Sequence, residues 1–308
     1  MNVLIEIYKY SIIIMDNQEF NDYINEQKHL KPLSVRTYTN EYKKIRADLK
    51  QNIIDTDEDE LLDYISDLID DGKSVHSSLN YLASIINIRR YHKISIDKLQ
   101  SRREVMIIQK EQAKKEKNKE LLEGGLPSKK DLMNHMNDKY KEENWKEYII
   151  LYLIITFHTR NKDIDVAFVD NITLSKNETI NTLVVKKTHV NYIRNNYKTF
   201  DSYGRKAYSI KNRKFREAVN NYLEQVNDAS DDKYIYLLTD RDGKHVVEGS
   251  VQKIISRITL NNLSTTLYNK ILTTDAVKTG NMDTLKEISE RRGTTIPVLL
   301  DSYDLHLK

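Results

Sequence analysis

Near the end of the chain, Tyr303 closes the run Arg291-Arg292-Gly293-Thr294-Thr295-Ile296-Pro297-Val298-Leu299-Leu300-Asp301-Ser302-Tyr303. Set beside the upstream Arg160 and Lys198, it has the makings of a phosphoryl-transfer site with a tyrosyl nucleophile. A phenol titrates at about 10, so attack near neutrality needs cations that favour its anion. The same cations neutralise the charge that gathers on a pentacoordinate phosphorus. Arginine suits this post because its planar, always-charged fork grips two nonbridging oxygens at once. One tyrosine among the 20 in this chain is by itself weak evidence, since most such rings simply pack. The order and spacing of its companions set Tyr303 apart.

The elements that must position these groups follow from composition and periodicity. A chain of 308 residues exceeds one comfortable core, so two domains are expected. Only 8 Gly and 3 Pro point to mostly helix. The absence of cysteine excludes disulfides, thiolate zinc sites and a cysteine nucleophile and fits a reducing, intracellular setting, while 31% charged residues point to a soluble protein. The 8 His are scattered without metal-ligand spacing.

A net charge of +3 says little, but its distribution says more. Residues 55–71 hold nine acids and no base, whereas residues 186–216 hold ten Lys or Arg against the single acid Asp201. That basic stretch is interleaved with Tyr192, Tyr197, Tyr203 and Tyr208, a makeup suited to a phosphate backbone; it also reads as a solvated hairpin. Residues 1–16 form an uncertain N-terminal extension. They are apolar but interrupted by Glu6 and Lys9, too short for a bilayer span and without the features of a signal peptide, so no membrane partner is expected.

Residues 17–97 read as a four-helix domain. One helix lies near 18–28. The next, capped by Ser34, sets Tyr38, Tyr42, Ile45 and Leu49 on one face and Arg36, Lys43, Lys44 and Arg46 on another. A third is capped by Thr56, its first-turn acids complementing the helix dipole, and stops at Gly72. The fourth spans 75–91. Residues 98–127 form a charged linker, either a solvated helix or a flexible strap. In the second domain, 128–308, residues 145–157 form the most apolar helix. Strands follow at 170–174, 182–188, 190–198 and 207–210 in a small antiparallel sheet, and then helices at 214–226, 251–258, 265–273 and 284–291.

This order of elements, from a helical domain through an apolar helix ending in Thr159-Arg160 and a basic sheet to a terminal tyrosine, resembles the tyrosine recombinase and integrase family over roughly residues 17–303. The phrases Asn196-Tyr197-Lys198-Thr199, Tyr203-Gly204 and Arg292-Gly293-Thr294-Thr295 are most similar to divergent integrase-like proteins of large DNA viruses and their satellites. The family's T-G-x-R-x-x-E-L motif corresponds to Phe157-His158-Thr159-Arg160-Asn161-Lys162-Asp163-Ile164, with His158 for Gly and Asp163 for Glu. The resemblance implies that Arg160 is the first catalytic arginine and that Lys198 protonates the leaving 5′ oxygen, with Lys186 and Lys187 as competitors. The H-x-x-R motif falls on Leu267-Tyr268-Asn269-Lys270, with Lys270 for the second arginine. By spacing, Thr294 takes the last family position; by chemistry, Arg292 is the better phosphate ligand, although Arg291 and Arg292 also suit a helix C-terminus.

The resemblance further implies that Tyr303 attacks a DNA phosphate to give a 3′-phosphotyrosyl intermediate and a free 5′ hydroxyl. It requires neither cofactor nor metal, and no small-molecule substrate. Double-stranded DNA would be the partner, contacted by Arg36, Lys43, Lys44, Lys186, Lys187, Arg194, Arg205 and Lys206, with a synaptic homotetramer as the working assembly. The alternatives are type IB topoisomerase-like relaxation and an inactive DNA-binding descendant of a recombinase.

Overall fold

The structure, a computed structural model, describes residues 32–169, 179–226, 234–240, 243–246 and 248–306. The anticipated first helix near 18–28 and the strand at 170–174 lie outside them. The chain divides into two compact units, Met1–Lys117 and Asn118–Lys308. It is mainly helical with one small sheet.

In the first unit, α1 (Pro32–Leu49), α2 (Glu58–Asp70) and α3 (Val75–Tyr91) pack with the start of α4 (Asp97–Glu123). Their core holds Tyr42, Ile45, Leu61, Ile65, Leu82, Ile85, Leu99 and Met106. Ser34 lies inside the first turn of α1 and is not its cap. The cap of α2 is Asp57, which accepts from the Asp59 amide at 2.8 Å; the Thr56 hydroxyl is spent on the Asn52 carbonyl, also at 2.8 Å. Glu58 explains part of the acidic run, because its carboxylate accepts the Lys98 amide at 2.9 Å at the start of α4. The stretch at 98–127 is largely this helix.

The second unit is built around α6 (Trp145–Phe157), whose side chains are buried almost all round, as a helix without a polar face must be. α5 (Lys129–Lys141) and α9 (Arg213–Val226) pack on it. After α6 come α7 (Asn161–Ile164), β1 (Val166–Val169), β2 (Asn181–Val185), β3 (Val190–Arg194), α8 (Phe200–Tyr203) and β4 (Lys206–Ile210). Past α9 lie β5 (Ile235–Tyr236), α10 (Glu248–Ile258), a short 3-10 turn (Leu260–Asn262), α11 (Thr265–Lys278), α12 (Met282–Arg292) and α13 (Ile296–Tyr303).

The sheet order is β4-β3-β2-β1-β5. It is mixed where antiparallel pairing was expected: β1 runs parallel to β2, with Val166 opposite Asn181, and the other pairs are antiparallel. β3 ends at Arg194, so Lys198 stands in a turn beyond the strand. No described helix is long and apolar enough to cross a membrane.

Candidate active site

α6 ends at His158, held in the left-handed conformation at φ 52°. This non-glycine residue turns the chain sharply so that Arg160 becomes the N-cap of α7. Asp163 accepts the Arg160 amide at 2.9 Å, which fixes that turn. The same carboxylate oxygen takes Arg194 Nη2 at 2.6 Å, with both side chains fully buried. An ion pair without solvent holds only if its partners are well hydrogen-bonded, and Arg194 also donates to the Arg291 carbonyl.

Arg194 was expected on the DNA-facing surface and is instead an internal strut. Along β3 it shares a face with Val190 and Tyr192, both fully buried, so the two-residue strand period carries it into the core.

The C-terminal end of α12 is where these elements meet. Its last three carbonyls each receive a basic side chain from a different element. Lys206 of β4 donates to Glu290, Arg194 of β3 to Arg291, and Arg160 to Arg292, the last at 3.0 Å. Those carbonyls are the negative pole of the helix, the natural seat for cations. The chain then turns at Gly293, with φ 63°. A Cβ there would stand 2.7 Å from Thr199 Oγ1 and 3.2 Å from the Tyr197 ring, so only glycine lets the turn carrying Lys198 pack against the helix end.

The Arg292 side chain has partners of its own. The residue is 1% exposed, and its guanidinium donates through Nη1 to the His158 carbonyl at 2.8 Å and through Nη2 to the Tyr303 hydroxyl, with Cζ 4.0 Å from the Tyr303 ring centre. Burial pushes Arg292 down to about 10, which leaves it charged near neutrality. His158 is buried behind it, and burial, then Arg292 and Arg291, push the imidazole down to about 3, so the ring is neutral. Tyr303 closes α13, which the sequence had left without an assigned element. Leu299, Leu300 and Tyr303 pack with Ala276 of α11 and with Leu285 and Ile288 of α12, and the Leu305 amide is tied to Thr274 Oγ1 at 3.0 Å.

Arg160, Arg292 and Tyr303, more than 130 positions apart at their extremes, are thus joined by hydrogen bonds around one helix end, with Arg160 and Tyr303 half-buried at its edge. Lys198 is exposed on the adjacent turn. Lys270 is directed elsewhere and donates to Asn118 Oδ1 at 2.7 Å. The α11 side chain that reaches the Arg160 loop is its neighbour Asn269, which donates to the Thr159 carbonyl at 3.1 Å. Thr294 is half-buried, its backbone bonded to Ser289.

Among the remaining basic candidates, Arg36, Lys43 and Lys44 are exposed on α1. Lys187 and Arg205 are exposed and Lys186 is half-buried in the second unit. Among the described residues, no cluster of His, Asp or Glu has the makeup of a metal site. The residues that sequence reasoning missed are Asp163 and Arg194 as a buried pair and Lys206 as a cap of α12.

Fold and site together define a two-unit, mainly helical protein with a buried arginine held on a tyrosine hydroxyl. No protein-family model matches the chain, and no curated protein matches it. Among solved structures, the crystal structure of XerA recombinase is similar with a TM-score of 0.39 and 9% sequence identity, over 96% of this chain and 94% of that one.

Proposed function

We propose that this protein cuts and rejoins DNA strands through Tyr303, as a site-specific recombinase of the tyrosine type. The observation that carries the reading is the hydrogen bond from the buried Arg292 guanidinium to the Tyr303 hydroxyl, with Arg160 bonded to the carbonyl of the same arginine. A guanidinium beside the attacking oxygen is placed to neutralise the charge that gathers on phosphorus in the transition state. The Tyr303 oxygen bonds to phosphorus as the P–O5′ bond breaks, and the attached phosphate keeps the energy needed for the reverse step. Arg292 replaces the second arginine that Lys270 does not supply, because only a guanidinium reaches the His158 carbonyl and the tyrosine at once.

A duplex nicked just past the cleavage point tests this, since the short leaving strand diffuses away and traps the adduct. The unsubstituted chain should become covalently attached and Tyr303→Phe should not, with duplex affinity nearly unchanged because the ring still packs. An adduct on Tyr303→Phe would remove Tyr303 as nucleophile.

A second reading is a DNA-binding descendant without catalysis. It is favoured by the engagement of both Arg160 and Lys206 with α12 carbonyls. That reading predicts duplex binding and no adduct at all.

A further inference from the structure

α4 is one helix with two anchors and a solvated stretch between them. Leu99 and Met106 are buried in the core of the first unit, and Asn118, 5% exposed, is the residue at which the second unit begins. From Ile107 to Lys117 no side chain is buried. A solvated stretch shorter than roughly 12 residues is marginal as a helix by itself, so its two ends decide whether it forms. At the second end, Asn118 Oδ1 accepts from Lys270 Nζ of α11 at 2.7 Å.

The same part of α11 holds the loop that carries Arg160. Asn269, 1% exposed, donates to the Thr159 carbonyl at 3.1 Å, and Thr265, one turn earlier, donates to Asn161 Oδ1 at 2.7 Å. These bonds grip the residues on either side of Arg160, and Lys270 directly follows Asn269. The far end of α11 is held separately. Lys129 pairs with Asp275 at 3.1 Å, the Leu305 amide donates to Thr274 Oγ1, and Ala276 packs with Tyr303.

We propose that Lys270 is a positioning residue that ties the formation of α4 to the seat of Arg160; the inference rests on the recombinase reading above and deepens it by naming a control on that site. The solvated stretch of α4 is the two-state element, either helical with Asn118 on Lys270 or frayed with that bond released. Release frees the first turns of α11, and with them Asn269, Thr265 and the Arg160 loop. Tyr303 stays in place, because its end of α11 has its own anchors. Lysine thus serves at this position without touching phosphate, through a bond to an asparagine amide.

The test measures strand cleavage in single turnovers at saturating nicked duplex, with either a phosphate or a methylphosphonate at the cleaved position. A methylphosphonate lacks the anionic nonbridging oxygen and so makes far less demand on Arg160. On the phosphate duplex, Lys270→Met, Asn118→Ala and Ala113→Pro, the last breaking α4 within its solvated stretch, should each slow cleavage about 10-fold with duplex affinity little changed. The double variant Lys270→Met with Asn118→Ala should be no slower than the slower single one, since both remove the same bond. Lys270→Arg keeps a donor for Asn118 and should stay within about two-fold of the unsubstituted chain. On the methylphosphonate duplex the losses should shrink to about two-fold, which a general loss of structure would not do. Normal cleavage by Lys270→Met or Ala113→Pro, additive losses in the double variant, or equal losses on both duplexes would overturn the assignment while the Tyr303 reading stands. No cleavage of either duplex by the unsubstituted chain overturns both.

Discussion

The Arg292 guanidinium donates one arm to the Tyr303 hydroxyl and the other to the His158 carbonyl, 2.8 Å away. The second bond anchors the arginine to the end of α6, so the position of the Tyr303 hydroxyl is tied to a helix more than 130 residues upstream. Arg292→Ala would remove the cation beside the phenol and strand a buried carbonyl. Cleavage of a nicked duplex should slow by on the order of 3 kcal/mol, about 100-fold or more, as when one preorganised donor is removed. Stability should fall by about 1–3 kcal/mol from the unpaired carbonyl. Single-turnover rates corrected for the folded fraction check this; a wild-type rate would take Arg292 out of the site.

Lys270→Arg should change little in the same assay. The Lys270 ammonium serves Asn118, and the helix face toward Arg160 belongs to Asn269. A large gain in cleavage rate would mean that Lys270 does take part as the family's second arginine would.

The buried pair of Arg194 and Asp163 gives a stability prediction. Removing one partner leaves an uncompensated charge, so Arg194→Met should destabilise the second unit by about 3–5 kcal/mol. Adding Asp163→Asn should restore part of this, because the amide still reaches the Arg160 amide only through its carbonyl oxygen but no longer carries a buried charge. Urea unfolding of the single and double variants measures the coupling; simple additivity would show that the pair does not interact.

How much of this was legible differs from residue to residue. The core helices were readable because their apolar spacing is local, and α6 announced itself by having no polar side. Tyr303, Arg160 and Arg292 were also singled out, since their residue types suit phosphate chemistry. Their connection through the end of α12 was not legible, because three side chains from separate elements meet backbone carbonyls there, and carbonyls leave no mark in a sequence. Arg194 carried a signal that was passed over: its place two residues from Tyr192 and four from Val190 put it on the core face, where Asp163 supplied the charge. The parallel pairing of β1 with β2 depends on long-range contacts and had no local signature.

His158 makes stability depend on pH. Its folded value of about 3 lies below the ordinary value of 6.5, so between these limits the unfolded chain binds a proton that the folded chain refuses. Stability is therefore full above about pH 6.5 and falls as the pH drops toward 3, by about 2 kcal/mol between pH 7 and pH 5. Arg292, Arg291 and Lys129 all act in the same direction on the ring. His158→Asn keeps a side chain that tolerates the left-handed backbone and does not titrate. Its stability should change less over that range in urea unfolding at the two pH values; an identical pH dependence would mean that His158 is protonated in the folded protein.

The basic stretch between residues 186 and 216 divides in the structure into cations that hold the protein together and cations that face solvent. Arg194 belongs to the first kind, buried on Asp163; Lys187 and Arg205, at opposite ends of the strands, belong to the second, and Lys186 next to Lys187 is half-exposed. Only solvent-facing cations can displace counterions from a duplex. Replacing Lys186, Lys187 and Arg205 with Ala should therefore weaken binding to all duplex sequences alike and make the plot of log affinity against log salt shallower by about 0.9 for each phosphate that is no longer neutralised. Unfolding stability should fall far less than on loss of the buried Arg194, because these side chains are wholly or partly in solvent. Arg194→Met should do the reverse, with a large stability loss and a salt slope unchanged in the fraction that remains folded. Fluorescence anisotropy across a salt series, read beside urea melts, checks both. An unchanged slope in the triple variant would show that these cations do not face DNA.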